Sequence, residues 1–310
     1  MTTRPSMLAG FSVGLILFVG LPSLSFGGEA LDAARAHRLE NGSRILSEFA
    51  DLLRIPNVAS DSANIRRNAA TLVDLFEQRG ASMQLLQLPG APPLVVGRLQ
   101  APQAVRTLGI YVHYDGQPVN ESEWKQAPWE PTLYTDDLTS GGEPRPFPGR
   151  GDPIDPAWRI YARSAGDDKV PFPAILSALD ALQEAKIDRT SNLVFLFEGE
   201  EEAGSPHLAE YFRRFKDRLD ADLWLICDGP LHQSRRPQLV FGVRGYTKLE
   251  LTVYGATRNL HSGHYGNWAP NPAMMLSQLL SSMKDERGNV LIEGFFDTVS
   301  TLDEAAREAL

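Results

Sequence analysis

The sequence contains one cysteine, Cys227, and no excess of basic residues. A single cysteine cannot form an internal disulfide, so a disulfide-stabilised scaffold is excluded. The 30 basic and 39 acidic residues give a formal net charge of −9, which argues against a nucleic-acid partner. The composition is 43% hydrophobic and 9% aromatic, which excludes disorder as the main state. At about 150 residues per domain, this chain length predicts two domains.

The first 27 residues have the layout of a secretory signal peptide. Arg4 is the only charged residue before Glu29, and the apolar stretch 7–21 is followed by a proline and small residues. Ser25 and Gly27 fit the small-residue rule for cleavage after Gly27. The apolar stretch is short for a membrane span, so we expect cleavage with no stable membrane anchoring afterwards. The sequence therefore predicts an exported protein, periplasmic or secreted.

Helical and strand-like patterns alternate along the rest of the chain. Apolar residues at helical spacing predict helices over 31–53, 65–76, 172–182 and 272–283. Short β-rich or apolar runs predict strands at 83–88, 94–99, 107–113, 193–197 and 223–227. The last two runs are nearly all apolar, which is typical of central strands covered on both faces. The alternation predicts an α/β fold with a mostly parallel sheet flanked by helices.

Two further segments differ from this alternation. Residues 116–165 hold eight of the 22 prolines, which predicts irregular, turn-rich backbone. Residues Thr247 to Val253 alternate polar and apolar side chains, which predicts a half-exposed strand of a second domain. The change of pattern places a domain boundary near Phe241, with a larger domain over 28–241 and a smaller domain over 242–310.

Acidic and histidine clusters follow the ends of three predicted strands. The clusters comprise His113 and Asp115, the run Glu198–Ser205, and Asp228, with Asp167-Asp168-Lys169 preceding a predicted helix. Ligands of open α/β sheets bind at the carboxyl ends of the strands, so these clusters are expected at one crevice. Packed carboxylates repel one another unless a divalent cation lies between them. One imidazole with several carboxylates matches zinc, and the surplus of carboxylates suggests two metals.

Each cluster alone has a simpler interpretation. An Asp-Asp-Lys sequence is usually a solvated turn, and a lone His113 is more often structural than catalytic. The glutamates of the run Glu198–Ser205 could serve as dipole partners of a helix capped by Ser205 and started by Pro206. The combination at strand ends favours a metal site. Asp115 lies two residues from His113 on an extended chain, so it can orient the imidazole.

Four motifs resemble those of the co-catalytic di-zinc metallopeptidases of carnosinase and aminoacylase type, in the order of that family. They are His113-Tyr-Asp-Gly-Gln-Pro118, Asp167-Asp-Lys169, Glu198-Gly-Glu-Glu-Glu-Ala-Gly-Ser205 and Leu260-His-Ser-Gly263. The first motif is similar to that of the dipeptidase branch. The resemblance implies a zinc-exopeptidase-like catalytic domain with a smaller α+β lid or dimerisation domain, which would be incomplete here.

The resemblance also implies a set of metal ligands. They are His113, Asp167, Glu202 and Asp228. Asp228 would share a zinc with His113. Asp167 would bridge two zinc ions and would be joined to Asp168 by a cis peptide bond. Cobalt or manganese could replace zinc.

Three further residues receive catalytic roles from the resemblance. Glu201 would be the general base, and Asp115 would hold His113 in place. His261 would stabilise the oxyanion of the tetrahedral intermediate across a homodimer.

The expected function is zinc-dependent hydrolysis of the peptide bond of a dipeptide or short peptide. Two alternatives remain open: an amidase or deacylase of N-acyl amino acids on the same fold, and a non-catalytic exported peptide-binding protein. The family supplies one further zinc-binding histidine from a late segment, and this sequence has no histidine after His264. We therefore expect the chain to be the N-terminal portion of a longer enzyme, weakly active or inactive alone.

Overall fold

The computed structural model describes residues 26–229, 231–232, 234, 236, 238–243 and 245–309. Residues 1–25, nearly all of the predicted signal peptide, lie outside this set. The chain divides into two units, Met1–Gln233 and Ser234–Leu310. The boundary predicted near Phe241 falls within the second unit. Among the described residues, none of the helices has the length and hydrophobicity needed to cross a bilayer.

Helices and strands alternate through the first unit. In chain order they are α1 (Phe26–Leu53), α2 (Ser62–Glu77), β1 (Ser82–Leu86), β2 (Leu94–Leu99), β3 (Thr107–His113), β4 (Thr132–Tyr134), β5 (Pro144–Arg145), β6 (Arg159–Tyr161), α3 (Pro171–Glu184), β7 (Asn192–Glu198), α4 (Leu208–Phe215) and β8 (Leu223–Ile226). The predicted helices and strands of this unit are present, with shifted ends.

The main sheet has five strands in the order β1-β2-β7-β3-β8. Strand β3 pairs in parallel with both β7 and β8, and places His113 opposite Glu198. Strands β1 and β2 extend the sheet by antiparallel pairing on the far side of β7. The predicted α/β fold, with a mostly parallel central sheet flanked by helices, is confirmed.

Both faces of the sheet are covered because its central strands are apolar on each side. Helices α2 and α3 cover one face, where Phe76 packs against Phe195 and Phe197 with ring centroids 4.8 and 4.9 Å apart. The other face carries Leu196, which packs in a second cluster with Tyr211 of α4. This two-sided core fixes β3 and β7, the two strands that end at the polar clusters.

Strand β8 differs from its prediction as a buried central strand. It lies at the edge of the sheet, and Leu223, Leu225 and Ile226 are 67%, 40% and 56% exposed. Within the described residues β3 is its only neighbouring strand, so an apolar run predicted the strand correctly but its burial wrongly.

Residues 116–165 contain more regular structure than predicted. Strands β4, β5 and β6 form a small antiparallel sheet in the order β5-β4-β6. Tyr134 and Tyr161 pack edge to face across it, with centroids 5.2 Å apart. These strands are two or three residues long, which is too short to display an alternating pattern.

The second unit contains helices α5 (Ser262–Tyr265), α6 (Pro272–Ser282) and α7 (Glu304–Ala309). Helix α6 confirms its prediction: Asn271 Oδ1 accepts a hydrogen bond from Ala273 N–H at 2.9 Å, and Pro272 occupies the first turn. The predicted strand from Thr247 to Val253 is wrong, because these residues have no regular secondary structure. An alternating segment becomes a strand only when another strand pairs with it, and none of the described residues does so here.

We expect Phe76→Ala to lower the free energy of unfolding by about 3–5 kcal/mol, because it leaves a cavity beneath the sheet. Urea denaturation followed by circular dichroism measures this change. Phe212→Ala is the control, since Phe212 is 43% exposed and should cost much less. Equal midpoints for the two variants would contradict this description of the core.

Candidate metal centre

The centre lies where β3, β7 and β8 end. Parallel neighbours end at the same edge of a sheet, so the residues that terminate them lie close together. His113 is the last residue of β3, and Asp228 follows β8. Strand β7 leads into a short 3-10 turn, Glu201–Ala203, which carries two of the predicted site residues.

Three of the predicted ligands meet here. His113, Asp167 and Asp228 each offer one ligand atom, and these atoms all lie within 4.8 Å of one another. His113 is buried, whereas the two aspartates are exposed. The Nε2 atom of His113 lies 3.0 Å from Asp167 Oδ1 and 3.9 Å from Glu201 Oε2.

This donor set fits a zinc ion. Imidazole nitrogen and carboxylate oxygen are ordinary zinc ligands, and a histidine ligand usually has a carboxylate on its other ring nitrogen. Nδ1 of His113 lies 3.3 Å from Asp115 Oδ1, which supplies that carboxylate. The residues present therefore match the requirements of a divalent cation in both their types and their placement.

Asp115 connects the histidine to the turn that carries the two glutamates. Its side chain is fully buried. Oδ1 accepts a hydrogen bond from Glu201 N–H, and Oδ2 accepts one from Glu202 N–H, each at 3.1 Å. The sequence predicted the contact with His113. It gave no sign of the contacts with the turn, because these depend on how β3 and β7 are paired.

The buried charges change the acidity of the site. Burial favours neutral imidazole, but the hydrogen bond and charge of Asp115, with the charges of Asp168 and Asp228, raise the pKa of His113 to about 9. Burial is also the main cause that raises the pKa of Glu201, and the charges of Asp228 and Glu202 add to it, while His113 opposes them. A raised carboxyl pKa is typical of a general base.

The loop that carries Asp167 is held by the buried side chains of the next two residues, Asp168 and Lys169. The peptide bond between Asp167 and Asp168 is cis, as predicted. Asp168 is buried, its Oδ2 accepts a hydrogen bond from His113 N–H at 3.3 Å, and burial is the main cause that raises its pKa to about 8. The next residue, Lys169, is fully buried, and its Nζ donates to the carbonyls of Leu52 and Ile55 at 2.9 Å each.

Lys169 thus ties the loop to the end of α1, a role that sequence reasoning did not assign. Its position beside two acidic residues favoured a solvated turn. A buried lysine can be recognised only once its carbonyl partners are known.

Glu202 lies apart from the three grouped ligands. Its Oε2 accepts a hydrogen bond from the side-chain amide of Gln117 at 2.6 Å. Its role as a metal ligand therefore stays a prediction.

The alternative reading of the glutamate run as a helix start is wrong. Helix α4 begins at Leu208, with His207 preceding it, so Ser205 and Pro206 lie outside the helix. Ser205 has a φ of +52°, which is a left-handed conformation unlike that of a helix cap.

His261 belongs to the second unit. It precedes helix α5, and its Nδ1 accepts a hydrogen bond from Gly263 N–H at 3.0 Å. The imidazole packs against His264, with ring centroids 5.1 Å apart. Its part in oxyanion stabilisation stays a prediction.

Comparison with known protein families gives a match over the part of the chain that carries these residues. Residues 109–287 match the model of peptidase family M20/M25/M40. The chain belongs to this family. The match covers β7, β8 and most of β3, and it includes His113, Asp167 and Asp228.

Dipeptidases from yeast and human resemble the chain over most of its length. The Cys-Gly metallodipeptidase dug1 of Schizosaccharomyces pombe is 29% identical over 264 residues, which is 80% of this chain and 51% of that protein. The Beta-Ala-His dipeptidase of Homo sapiens is 28% identical over 257 residues, which is 82% of this chain and 46% of that protein. The chain spans about half the length of the curated relatives it matches.

Solved structures agree with the fold. The M20 family metallo-carboxypeptidase Sso-CP2 from Sulfolobus solfataricus is 31% identical, with a TM-score of 0.64 over 85% of this chain and 55% of that chain. The di-peptidase Dug1p from Saccharomyces cerevisiae, at 22% identity, has a TM-score of 0.59 over 92% of this chain and 58% of that chain. The second likeness shows the fold alone.

The predicted export to the periplasm or the medium is wrong. The fungal Cys-Gly metallodipeptidases that match this chain are cytosolic-type dipeptidases, and the comparisons give no support for export. An apolar N-terminal stretch with a single arginine was insufficient to predict the compartment.

We expect Asp115→Asn to weaken zinc binding about 10–100-fold, the usual cost of replacing a residue that supports a metal ligand. The asparagine nitrogen would face a donor, either the imidazole N–H or one of the two backbone amides. Competition with a chromophoric chelator measures the affinity. Asp220→Asn, at an exposed position, is the control and should bind zinc as the parent does. Unchanged affinity in the Asp115 variant would show that this carboxylate does not support the centre.

Proposed function

We propose that the protein is a zinc-dependent exopeptidase that hydrolyses the peptide bond of a dipeptide or short peptide. The observation that carries this proposal is the group of His113, Asp167 and Asp228, with Glu201 Oε2 3.9 Å from the histidine Nε2. The relatives support the substrate class, because their names specify Cys-Gly and Beta-Ala-His dipeptidases. No observation favours deacylation of N-acyl amino acids or a non-catalytic role.

The metal-binding part of the proposal assigns residues to two zinc ions. His113 and Asp228 would hold one ion, Asp167 would bridge, and Glu202 would contribute to the second. Bound zinc would polarise the substrate carbonyl and lower the pKa of a water molecule towards neutrality. Cobalt or manganese, which accept similar ligands, are expected to replace zinc.

The remaining chemistry belongs to the side chains of the protein. Glu201 would accept a proton from the attacking water and return it to the leaving amine, a task suited to a carboxyl of raised pKa. Asp115 would keep the imidazole of His113 oriented through its 3.3 Å contact with Nδ1. In a homodimer, His261 would donate a hydrogen bond to the oxyanion of the tetrahedral intermediate.

Removal of divalent cations is expected to abolish dipeptide hydrolysis, and zinc, cobalt or manganese should restore it. The measurement is release of free amino acids from Cys-Gly and β-Ala-His after treatment with a chelator. N-acetyl and N-succinyl amino acids form the comparison panel. Full hydrolysis by metal-free protein would contradict a metal-dependent reaction, and faster cleavage of the N-acyl compounds would contradict a peptidase.

Glu201→Gln should reduce kcat by at least about 100-fold, because the amide cannot accept the proton, which is a typical size for a lost general base. Metal content should stay at the parent value, because Glu201 is proposed as the base and not as a ligand. Steady-state kinetics and elemental analysis of the same preparation measure the two quantities. If the variant lost zinc together with activity, Glu201 would be a ligand and the assignment of the base would be wrong.

A further inference from the structure

Glu200 and His207 form a partly buried contact beside the turn that carries Glu201. Glu200 is 5% exposed, and its carboxylate accepts a hydrogen bond from His207 N–H at 3.0 Å. The Nδ1 atom of His207 lies 3.1 Å from Oε1 and 2.9 Å from Oε2 of the same carboxylate. Neither residue belongs to the set of proposed ligands or to the proposed acid–base chemistry.

His207 is held at the start of α4. Its carbonyl accepts hydrogen bonds from Glu210 and Tyr211 N–H at 2.9 and 3.0 Å, so it is the residue that caps the helix at its N-terminus. Tyr211 is 2% exposed, and its hydroxyl contacts backbone atoms of the loop after β1, including Pro92 O at 2.8 Å. A carboxylate held by His207 is therefore fixed to the core cluster beneath α4.

The backbone of Glu200 also holds the turn that carries Glu201. The carbonyl of Glu200 accepts hydrogen bonds from Ala203 N–H at 3.2 Å and from Ser205 N–H at 3.0 Å. Gly204 N–H donates to Glu201 O at 2.7 Å, and Gly204 adopts a φ of +87° that only glycine takes without strain. The turn therefore begins at a residue whose side chain is held by α4.

Two carboxylates thus hold the turn that carries Glu201. Asp115, at the end of β3, accepts hydrogen bonds from the amides of Glu201 and Glu202. Glu200, the residue that precedes the turn, is held by His207. Loss of either contact would leave Glu201 free to move relative to His113.

We propose that Glu200 and His207 are positioning residues for the general base Glu201. This inference rests on the proposed function for the role of Glu201, although the pair itself is a property of the fold. A His207 imidazole that donates to Glu200 keeps the turn closed, and its removal takes away one of the donors of a buried carboxylate, which retains the backbone N–H of residue 207.

The test compares His207→Leu with His207→Asn in the full chain. Leucine removes the side-chain donor, whereas an asparagine amide nitrogen can occupy the place of Nδ1 and donate to Glu200. Glu210→Gln is the matched control, because it removes only a half-exposed ion pair with Arg214 on the same helix. Hydrogen exchange of the turn amides, measured with and without zinc, reports directly how often the hydrogen bonds of the turn open.

In His207→Leu we expect the amides of Ala203, Gly204 and Ser205 to exchange about 10–100-fold faster, the effect of losing a hydrogen bond to a charged group. The kcat for dipeptides should fall about 10–100-fold while KM changes less than about threefold, because an outer contact orients the base without binding substrate. His207→Asn should restore both quantities, and the control should change neither.

Exchange in His207→Leu as slow as in the parent would overturn the proposal, as would failure of asparagine to restore it. If the zinc-loaded protein, purified from its native source, hydrolysed no dipeptide, the proposed function would fail. The exchange data would still decide whether the pair holds the turn, so the two failures are distinguishable.

Discussion

The buried carboxylate of Asp115 contacts both His113 at the end of β3 and the turn after β7 that carries Glu201 and Glu202. Its two oxygens accept hydrogen bonds from Glu201 and Glu202 N–H at 3.1 Å, and one lies 3.3 Å from the imidazole of His113. A buried charge is costly unless several donors surround it. Here two donors come from the backbone of the turn after β7, and the imidazole of His113 lies in contact with the same carboxylate. The contacts that stabilise the charge therefore also align the proposed ligand with the proposed base.

That arrangement requires β3 and β7 to stay in register. The pairing of His113 with Glu198 brings the ends of the two strands level, and the aromatic side chains beneath β7 hold the sheet against α2 and α3. Lys169 adds a third connection, because its buried side-chain nitrogen ties the loop of Asp167 to the end of α1. The centre therefore depends on three separate elements of one core, each of which contributes a different side chain.

The sequence predicted the α/β fold and the meeting of polar clusters at one edge of the sheet because both follow from short-range patterns: apolar runs mark strands, and parallel strands end together. The choice of individual metal ligands rested on the resemblance of four motifs to a known family. It did not predict the partners of those side chains. The contacts of Lys169 and of the Glu200–His207 pair join residues that belong to different elements, and periodicity carries no information about them. The burial and the pairing of a strand also depend on its neighbours. For this reason the exposure of β8 and the absence of a strand from Thr247 to Val253 were not predicted.

Anomalous diffraction at the zinc edge, from crystals of the zinc-loaded protein, tests whether one divalent ion binds between His113, Asp167 and Asp228. We expect a zinc peak about 2.0–2.2 Å from a nitrogen of His113 and from an oxygen of Asp228, with an Asp167 oxygen also in contact. A fully occupied zinc peak elsewhere on the protein, with none between these three residues, would contradict it.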